Sequence, residues 1–395
     1  MMPDGSEQIT VKVIPSISEV SPEAWDFCAG TSHPFTRHAF LSALEDSGSA
    51  TAETGWQPQH MVIESPDGSL LGAAPLYLKN HSYGEYVFDW GWADAFERAG
   101  GNYYPKLQCS VPFTPVTGSR FLIPDILDPD YASDLKRALS GAMIQLAERL
   151  NVSSIHVTFS TKDEWKLLTD VGFLQRVGQQ FHWHNNGYEN FDGFLQDLTS
   201  RKRKQIRKER RAVAETNLTI RALSGSEIEE RHWDAFYQFY LSTTDKKWGS
   251  SYLTRSFFSL LGERMADQVV LIVVEDGERL LAGALNLKSE TTLFGRNWGC
   301  METHKFLHFE ACYYQAIDYA IEHGLESVEA GAQGPHKIQR GYLPSKTYSG
   351  HWISHPGLSE AIEDFLARER LGIEYEMRDL ARHSPFRNTD TSEIE

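Results

Sequence analysis

Apolar positions along the chain fall into two recurring periods. Ile9, Val11 and Val13 alternate with polar residues, which predicts an opening strand over 9–17. Ser21, Pro22 and Glu23 form a helix start, an N-cap serine with proline at the first helical position. A second helix is expected over 36–46. Strands over 59–64 and 70–79 flank the turn Ser65-Pro66-Asp67-Gly68, and a third is expected over 86–92, with Phe88 and Trp90 turned to the core. A loop rich in Gly, Tyr and Pro covers 98–105. Behind Asp128-Pro129, Leu135, Leu139, Ala142, Leu146 and Leu150 recur at three- and four-residue steps, an amphipathic helix. A strand over 154–159, a short helix over 163–170 and a strand over 173–184 close this half.

The grammar then repeats. A strand is expected over 218–222, helices over 227–241 and 254–265, and a hairpin over 269–275 and 280–288 around Asp276-Gly277. A third strand over 292–300 leads to a helix over 306–322, in which Phe309, Tyr313, Ala316, Ile317 and Ala320 share a face and Gly324 stops the run. A strand over 325–330, a loop or short helix over 334–341 and a strand over 347–353 follow. Asp67–Lys79 reads like Asp276–Lys288, and Asp89-Trp90-Gly91 like Asn297-Trp298-Gly299, in the same order and a little over 200 residues apart. That period predicts a duplicated domain. The division expected is a first domain over 1–190, a basic linker helix over 191–216, a second domain over 217–381 and a disordered tail over 382–395.

Composition narrows the picture. The 395 residues suit two domains, and the formal charge of -16 argues against general nucleic-acid binding. Cys28, Cys109, Cys300 and Cys312 have no metal-finger spacing, and neither His182-x-His184 nor His304-x-x-x-His308 has a third ligand at a suitable spacing, so no metal is expected. The N-terminus has no secretory pattern and no run of 18 apolar residues occurs, which points to a cytoplasmic protein without a membrane span.

Against that acidic background, eight of the eleven residues from Arg201 to Arg211 are Lys or Arg. Arg203, Lys204, Arg207, Lys208 and Arg211 are spaced to share a helix side and are expected to bind an anion. The loop Gly331–Gly341 carries His336, Lys337 and Arg340 after a buried strand, a pattern suited to a phosphate or carboxylate. Asp89, Trp92 and Tyr103 are expected to line a substrate pocket in the first half, the acid for an amine and the rings for a sugar or acyl chain.

The order helix, helix, hairpin, third strand, long helix, strand, helix, strand resembles the acyl-CoA N-acyltransferase (GNAT) fold. Two such units with a basic helix leading into the second resemble its Fem-like peptidoglycan branch. The residues that carry the resemblance are Arg203–Arg211, Asp276–Lys288, Gly295–Trp298, His308–Glu310 and His336–Gly341. The resemblance implies an α/β fold of tandem GNAT-like domains and an N-acyltransferase that moves an acyl or aminoacyl group onto an amine. The donor implied is acyl-CoA or an aminoacyl-transfer RNA, and the acceptor a peptidoglycan precursor or another amine. The glycine-rich pyrophosphate loop of many GNAT enzymes is missing before Phe306.

Amide formation needs a base for the amine proton and a donor for the oxyanion. Glu310 or His308 is expected as the base, Arg296 as the oxyanion donor and Trp298 as a substrate contact. The alternative is a non-catalytic protein on the same fold that recognises a cell-wall fragment or a nucleotide-linked ligand. A third is an adaptor docking an acidic protein or RNA.

Overall fold

A computed structural model describes residues 9–247, 251–331 and 334–387. The chain divides into two compact units, each assembled from separated segments. Unit 1 takes residues up to 178 with 252–260 and 347–373; unit 2 takes 179–251, 261–346 and the residues from 374. These boundaries differ from the consecutive domains expected over 1–190 and 217–381, because two strands each begin in one unit and end in the other.

Unit 1 opens with β1 (Val11–Ile14), α1 (Pro22–Ala29) and α2 (His38–Asp46). Ser21 caps α1 by accepting from the Ala24 amide, as its position before Pro22 predicts. The expected hairpin is bent in two: β2 (Trp56–Pro58) pairs with β5 (Leu76–Lys79), and β3 (His60–Glu64) with β4 (Leu70–Ala74). Pro75 divides the second arm, where proline cannot donate to a ladder. After α3 (Trp90–Arg98), β6 (Lys106–Cys109) lies antiparallel to β5 and parallel to β7 (Ser154–Ser160). Between those two strands runs α4 (Pro129–Leu150), which turns Leu135, Leu139, Met143 and Leu146 onto Leu107, Ile155 and Val157. Each such leucine contributes about 1.5–3 kcal/mol by leaving water. A capping box between Thr161 and Glu164 starts α5 (Lys162–Asp170).

The chain leaves unit 1 within β8 (Leu174–His184). Unit 2 then has α6 (Phe191–Asp197), α7 (Ser200–Ala214), β9 (Thr219–Leu223) and α8 (Glu230–Lys247), while α9 (Arg255–Met265) begins in unit 1. Its sheet runs β9, β10 (Val269–Asp276), β11 (Arg279–Lys288), β12 (Thr292–Cys300), β13 (Ser327–Glu329) and the C-terminal half of β8. The long helix expected over 306–322 is α10 (Leu307–Phe309), a π turn (Glu310–Tyr314) and α11 (Gln315–Glu322). Ala316, Ile317 and Ala320 press on Leu293, Val328 and Trp183. The chain returns within β14 (Leu343–Ile353), whose C-terminal half pairs with β7 in unit 1, and ends in α12 (Pro356–Arg382). Among the described residues no helix is long and apolar enough to cross a membrane.

Three local expectations change. The strand expected over 86–92 is instead a loop entering α3, whose first turn closes on the Asp89 carbonyl through the Trp92 and Ala93 amides. Phe88 and Trp90, expected in the core, are 47% and 44% exposed. The Trp-Gly pairs are therefore not equivalent: Gly91 has open space where a Cβ would stand, whereas a Cβ on Gly299 would lie 2.0 Å from the Phe239 carbonyl oxygen. The tail expected to be disordered from Arg382 is ordered as far as Arg387. Pro385 accepts from the Thr199 amide, and the Arg387 amide donates to Asp197; residues 388–395 lie outside the described residues.

Candidate functional site

In unit 2 the strands β12 and β13 run parallel for three pairs, ending at Phe294 and Glu329. A Cβ on Gly295 would come within 3.3 Å of the Glu329 carbonyl oxygen, so the last close approach favours glycine there. β13 then ends, but β12 runs on beside β11. Leu285 faces Asn297 and Asn286 faces Gly295, which leaves Arg296 as the extra residue of a bulge. Bulges re-aim side chains and gather near functional sites.

The chain leaves β12, passes Phe306 in a left-handed conformation (φ 67°), and enters the helix. The π turn adds a residue to one helical turn, a rare device often found at sites of function. Several aromatic rings meet around this region. His308 lies 5.5 Å from Trp298, 5.4 Å from Tyr313 and 6.3 Å from His336, measured between ring centres. The Tyr313 hydroxyl and His336 Nε2 share a hydrogen bond of 3.0 Å. Burial holds the Tyr313 hydroxyl well above its ordinary value, so it keeps its proton. His308, Trp298 and His336, singled out from the sequence, are thus brought together, with Arg296 half-buried on the same strand as Trp298.

The other expected residues in this unit have structural partners. Glu310 is buried, and its Oε1 accepts from Arg210 Nη2 at 3.0 Å and Gln315 Nε2 at 2.8 Å. Arg210 also donates to Asp318 at 2.6 Å and lies over the Phe191 ring. A carboxylate held this way ties α7 to the helix. Arg340 stacks on Phe309 at 3.4 Å and donates to Glu209, which also accepts from the Tyr314 hydroxyl. Lys337 donates to the Ala330 and Gly331 carbonyl oxygens and staples its own loop. Residues 332–333 of that loop lie outside the described residues.

α7 is thus two-faced. Ile206, Glu209 and Val213 are buried, at steps of three and four. On the outer side, Arg207 pairs with Asp192 at 2.8 Å and Arg203 is half-buried beside Ser200. Lys204, Lys208 and Arg211 are exposed, and Arg201 joins them to make a stripe at 201, 204, 208 and 211.

In unit 1, Asp89, Trp92 and Tyr103 are all buried. Lys106, fully buried, donates to Asp89 at 2.5 Å, Glu85 at 2.7 Å and Ser82 at 2.8 Å, and the Tyr103 hydroxyl donates to Asp89 at 2.8 Å. Burial would raise Asp89, but Lys106 and then His156 outweigh it and hold the carboxyl well below its usual range. Burial pushes Glu85 up to about 7 and pulls Lys79 down to about 6. His156 and His351 share a 2.7 Å bond between their Nδ1 atoms, and Trp92 packs edge-on against His351. These residues form a buried ion network.

The sequence reading missed Arg210, Glu209 and the Lys106 network. One signal was available for the second: Glu209 is the single acid within the run 201–211, and an acid there is placed to answer buried cations.

No curated protein matches the chain. Among solved structures, FemX is 14% identical with a TM-score of 0.54, covering 87% of this chain and 98% of its own. L-PGS from Bacillus licheniformis is 10% identical, TM-score 0.50, over 82% and 95%. A conserved protein of unknown function from Bacteroides thetaiotaomicron is 10% identical, TM-score 0.50, over 87% and 99%. At such identities the likeness speaks for the fold, the tandem GNAT-like α/β architecture expected from the sequence. A family profile described as peptidoglycan biosynthesis/recognition matches residues 16–388, and the chain therefore belongs to the FemAB-like family.

Proposed function

We propose that the chain is a transferase that moves an acyl or aminoacyl group from an activated ester or thioester onto an amine, at the β12–β13 divergence of unit 2. The observation that supports this is the coincidence of the bulge at Arg296 with the rings of His308, Trp298, Tyr313 and His336. The amine nitrogen attacks the acyl carbonyl, the C–N bond forms, and the ester C–O or thioester C–S bond breaks. His308 takes the amine proton, Arg296 and backbone amides hold the oxyanion, and the Tyr313–His336 pair returns a proton to the leaving group. Glu310 acts as a positioning residue that sets α7 against the helix.

The segment before Leu307 carries no glycine-rich pyrophosphate loop, which supports an aminoacyl donor over acyl-CoA. The FemAB-like family description and the fold shared with FemX support a peptidoglycan precursor as acceptor. The test is turnover of peptidoglycan precursors with aminoacyl-RNA mimics and with acyl-CoAs, read by product mass. His308→Ala is expected to lower kcat/KM by roughly 10²–10⁴-fold. Unchanged turnover in both His308→Ala and Arg296→Ala would remove the chemistry from this site.

A second reading, recognition without chemistry, is favoured by the missing glycine-rich pyrophosphate loop before Phe306. It predicts ligand-dependent stabilisation, about 2.7 kcal/mol at a hundred times the dissociation constant, with no product.

A further inference from the structure

We infer that the loop over 83–90 in unit 1 is a glycan platform, on which Tyr83, Phe88 and Trp90 receive the pyranose face of an N-acetylated hexosamine. The three rings are 51%, 47% and 44% exposed. Tyr83 and Trp90 stand 5.3 Å apart between ring centres and Phe88 and Trp90 6.0 Å apart, both pairs edge to face. Apolar rings on a solvated loop lose nothing by folding inward unless something holds them out. Here the loop is fastened from beneath at four points.

Lys79 donates to the Tyr83 carbonyl oxygen, Arg176 to that of Phe88, and the Phe113 amide to that of Gly84. Below them Lys106 binds Ser82, Glu85 and Asp89. The display is therefore rigid, and binding need not order it.

The chemistry and the size of the patch select the occupant. Trp90 opens α3, and Asp94 lies one turn further on the same side, exposed and ion-paired with Arg98 at 2.5 Å. A carboxylate and a guanidinium beside an aromatic face match the hydroxyls and the C–H face of a sugar. Three half-exposed rings offer on the order of 300 Å², well short of the roughly 800 Å² per partner of a stable protein interface. The Asp94–Arg98 pair leaves the rim without the net positive charge that would draw it to an anionic membrane surface. The choice of an N-acetylated hexosamine rests on the peptidoglycan reading of the family; the platform itself does not depend on the transfer site.

Titrating the full chain with tri-N-acetylchitotriose tests this, read by saturation-transfer NMR and calorimetry. A dissociation constant on the order of 1 mM is expected. Trp90→Ala and Tyr83→Ala should each weaken binding about three- to tenfold, the worth of one aromatic contact. Trp90→Phe should restore most of it, and His308→Ala should bind as the unaltered chain does. If Trp90→Ala does not fold, Trp90→Phe and Tyr83→Ala carry the comparison. No signal at about ten times the expected constant overturns the proposal, as does binding undiminished in the alanine variants. A concentration-dependent dimer dissolved by Trp90→Ala would give the patch to a second copy instead. Loss of transfer in His308→Ala with binding retained separates this site from the catalytic reading.

Discussion

Replacing Lys106 by Met keeps most of the side-chain volume and removes one buried cation from between two buried carboxylates. Lys106 is 0% exposed, and its ammonium satisfies Glu85, Asp89 and Ser82 together. Removing one partner of a buried pair costs about 3–5 kcal/mol, because the remaining charge is stranded. The pH dependence is what distinguishes this cause from a simple packing defect. In the unaltered chain Asp89 is held below its usual range, so its contribution is present above the unfolded value and lost as pH falls through the folded one. Glu85 is raised to about 7, so its protonated form is favoured by folding and that advantage is lost as pH rises through 7. Without Lys106 both carboxyls move upward and take protons more readily in acid. The deficit should therefore be largest near pH 8 and shrink by roughly 2–3 kcal/mol by pH 5.5, at about 1.4 kcal/mol per unit of pH for each proton taken up. Urea unfolding of both proteins at the two pH values, followed by near-ultraviolet circular dichroism, measures it. A deficit below about 1 kcal/mol, or the same deficit at both pH values, would refute the claim that Lys106 neutralises these acids.

Further outcomes are expected. Burial, and then nearby cations, lower His156 to about 3 and His351 well below its ordinary value, so both imidazoles stay neutral in the fold. The unfolded chain then binds more protons below about pH 6.5, and stability should fall on acidification by about 1.4 kcal/mol per unit for each imidazole. Glu85 opposes this slope, and a His156→Gln/His351→Gln double variant should flatten it; an unchanged acid limb would contradict the assignment. Reversing Lys204, Lys208 and Arg211 to Glu should lower the salt at which the protein leaves a heparin column. The same change should alter stability by no more than about 0.5 kcal/mol per substituted residue, since these side chains are exposed. Unchanged retention would show that the outer face of α7 is not an anion seat.

Much of the architecture was legible in short windows. The turn at Ser65–Gly68, the hairpin at Asp276-Gly277, the stripe of α4 and the apolar runs of β7 and β10 each carry their period or turn chemistry within about a dozen residues. Those signals are local, and the structure follows them. α12 was overlooked although Leu358, Ile362 and Leu366 recur every four residues behind Pro356; only Ile362 and Leu366 are buried, a thin stripe in a polar helix. The segment over 86–92 misled for the opposite reason. Its short alternation of aromatics fits a strand, but Lys106 takes Asp89 and Glu85 inward and leaves Phe88 and Trp90 outside.

The sequence by itself determined where most of the strands and helices form, that their order recurs along the chain, and that residues 201–211 make a cationic helix, which the structure places within unit 2. It also marked His308, Trp298 and His336 as chemistry-bearing. Only the tertiary structure decided that these three rings meet beside a bulge at Arg296, and that Glu310 and Arg340 are held in ion pairs with Arg210 and Glu209. It alone showed that unit 1 takes in residues 347–373 from late in the chain, so that His156 finds His351 across 195 residues. Backbone conformation answers to neighbours in sequence. The partner of a buried charge is set by whichever segment the whole fold brings within about 3 Å, and no local period records it.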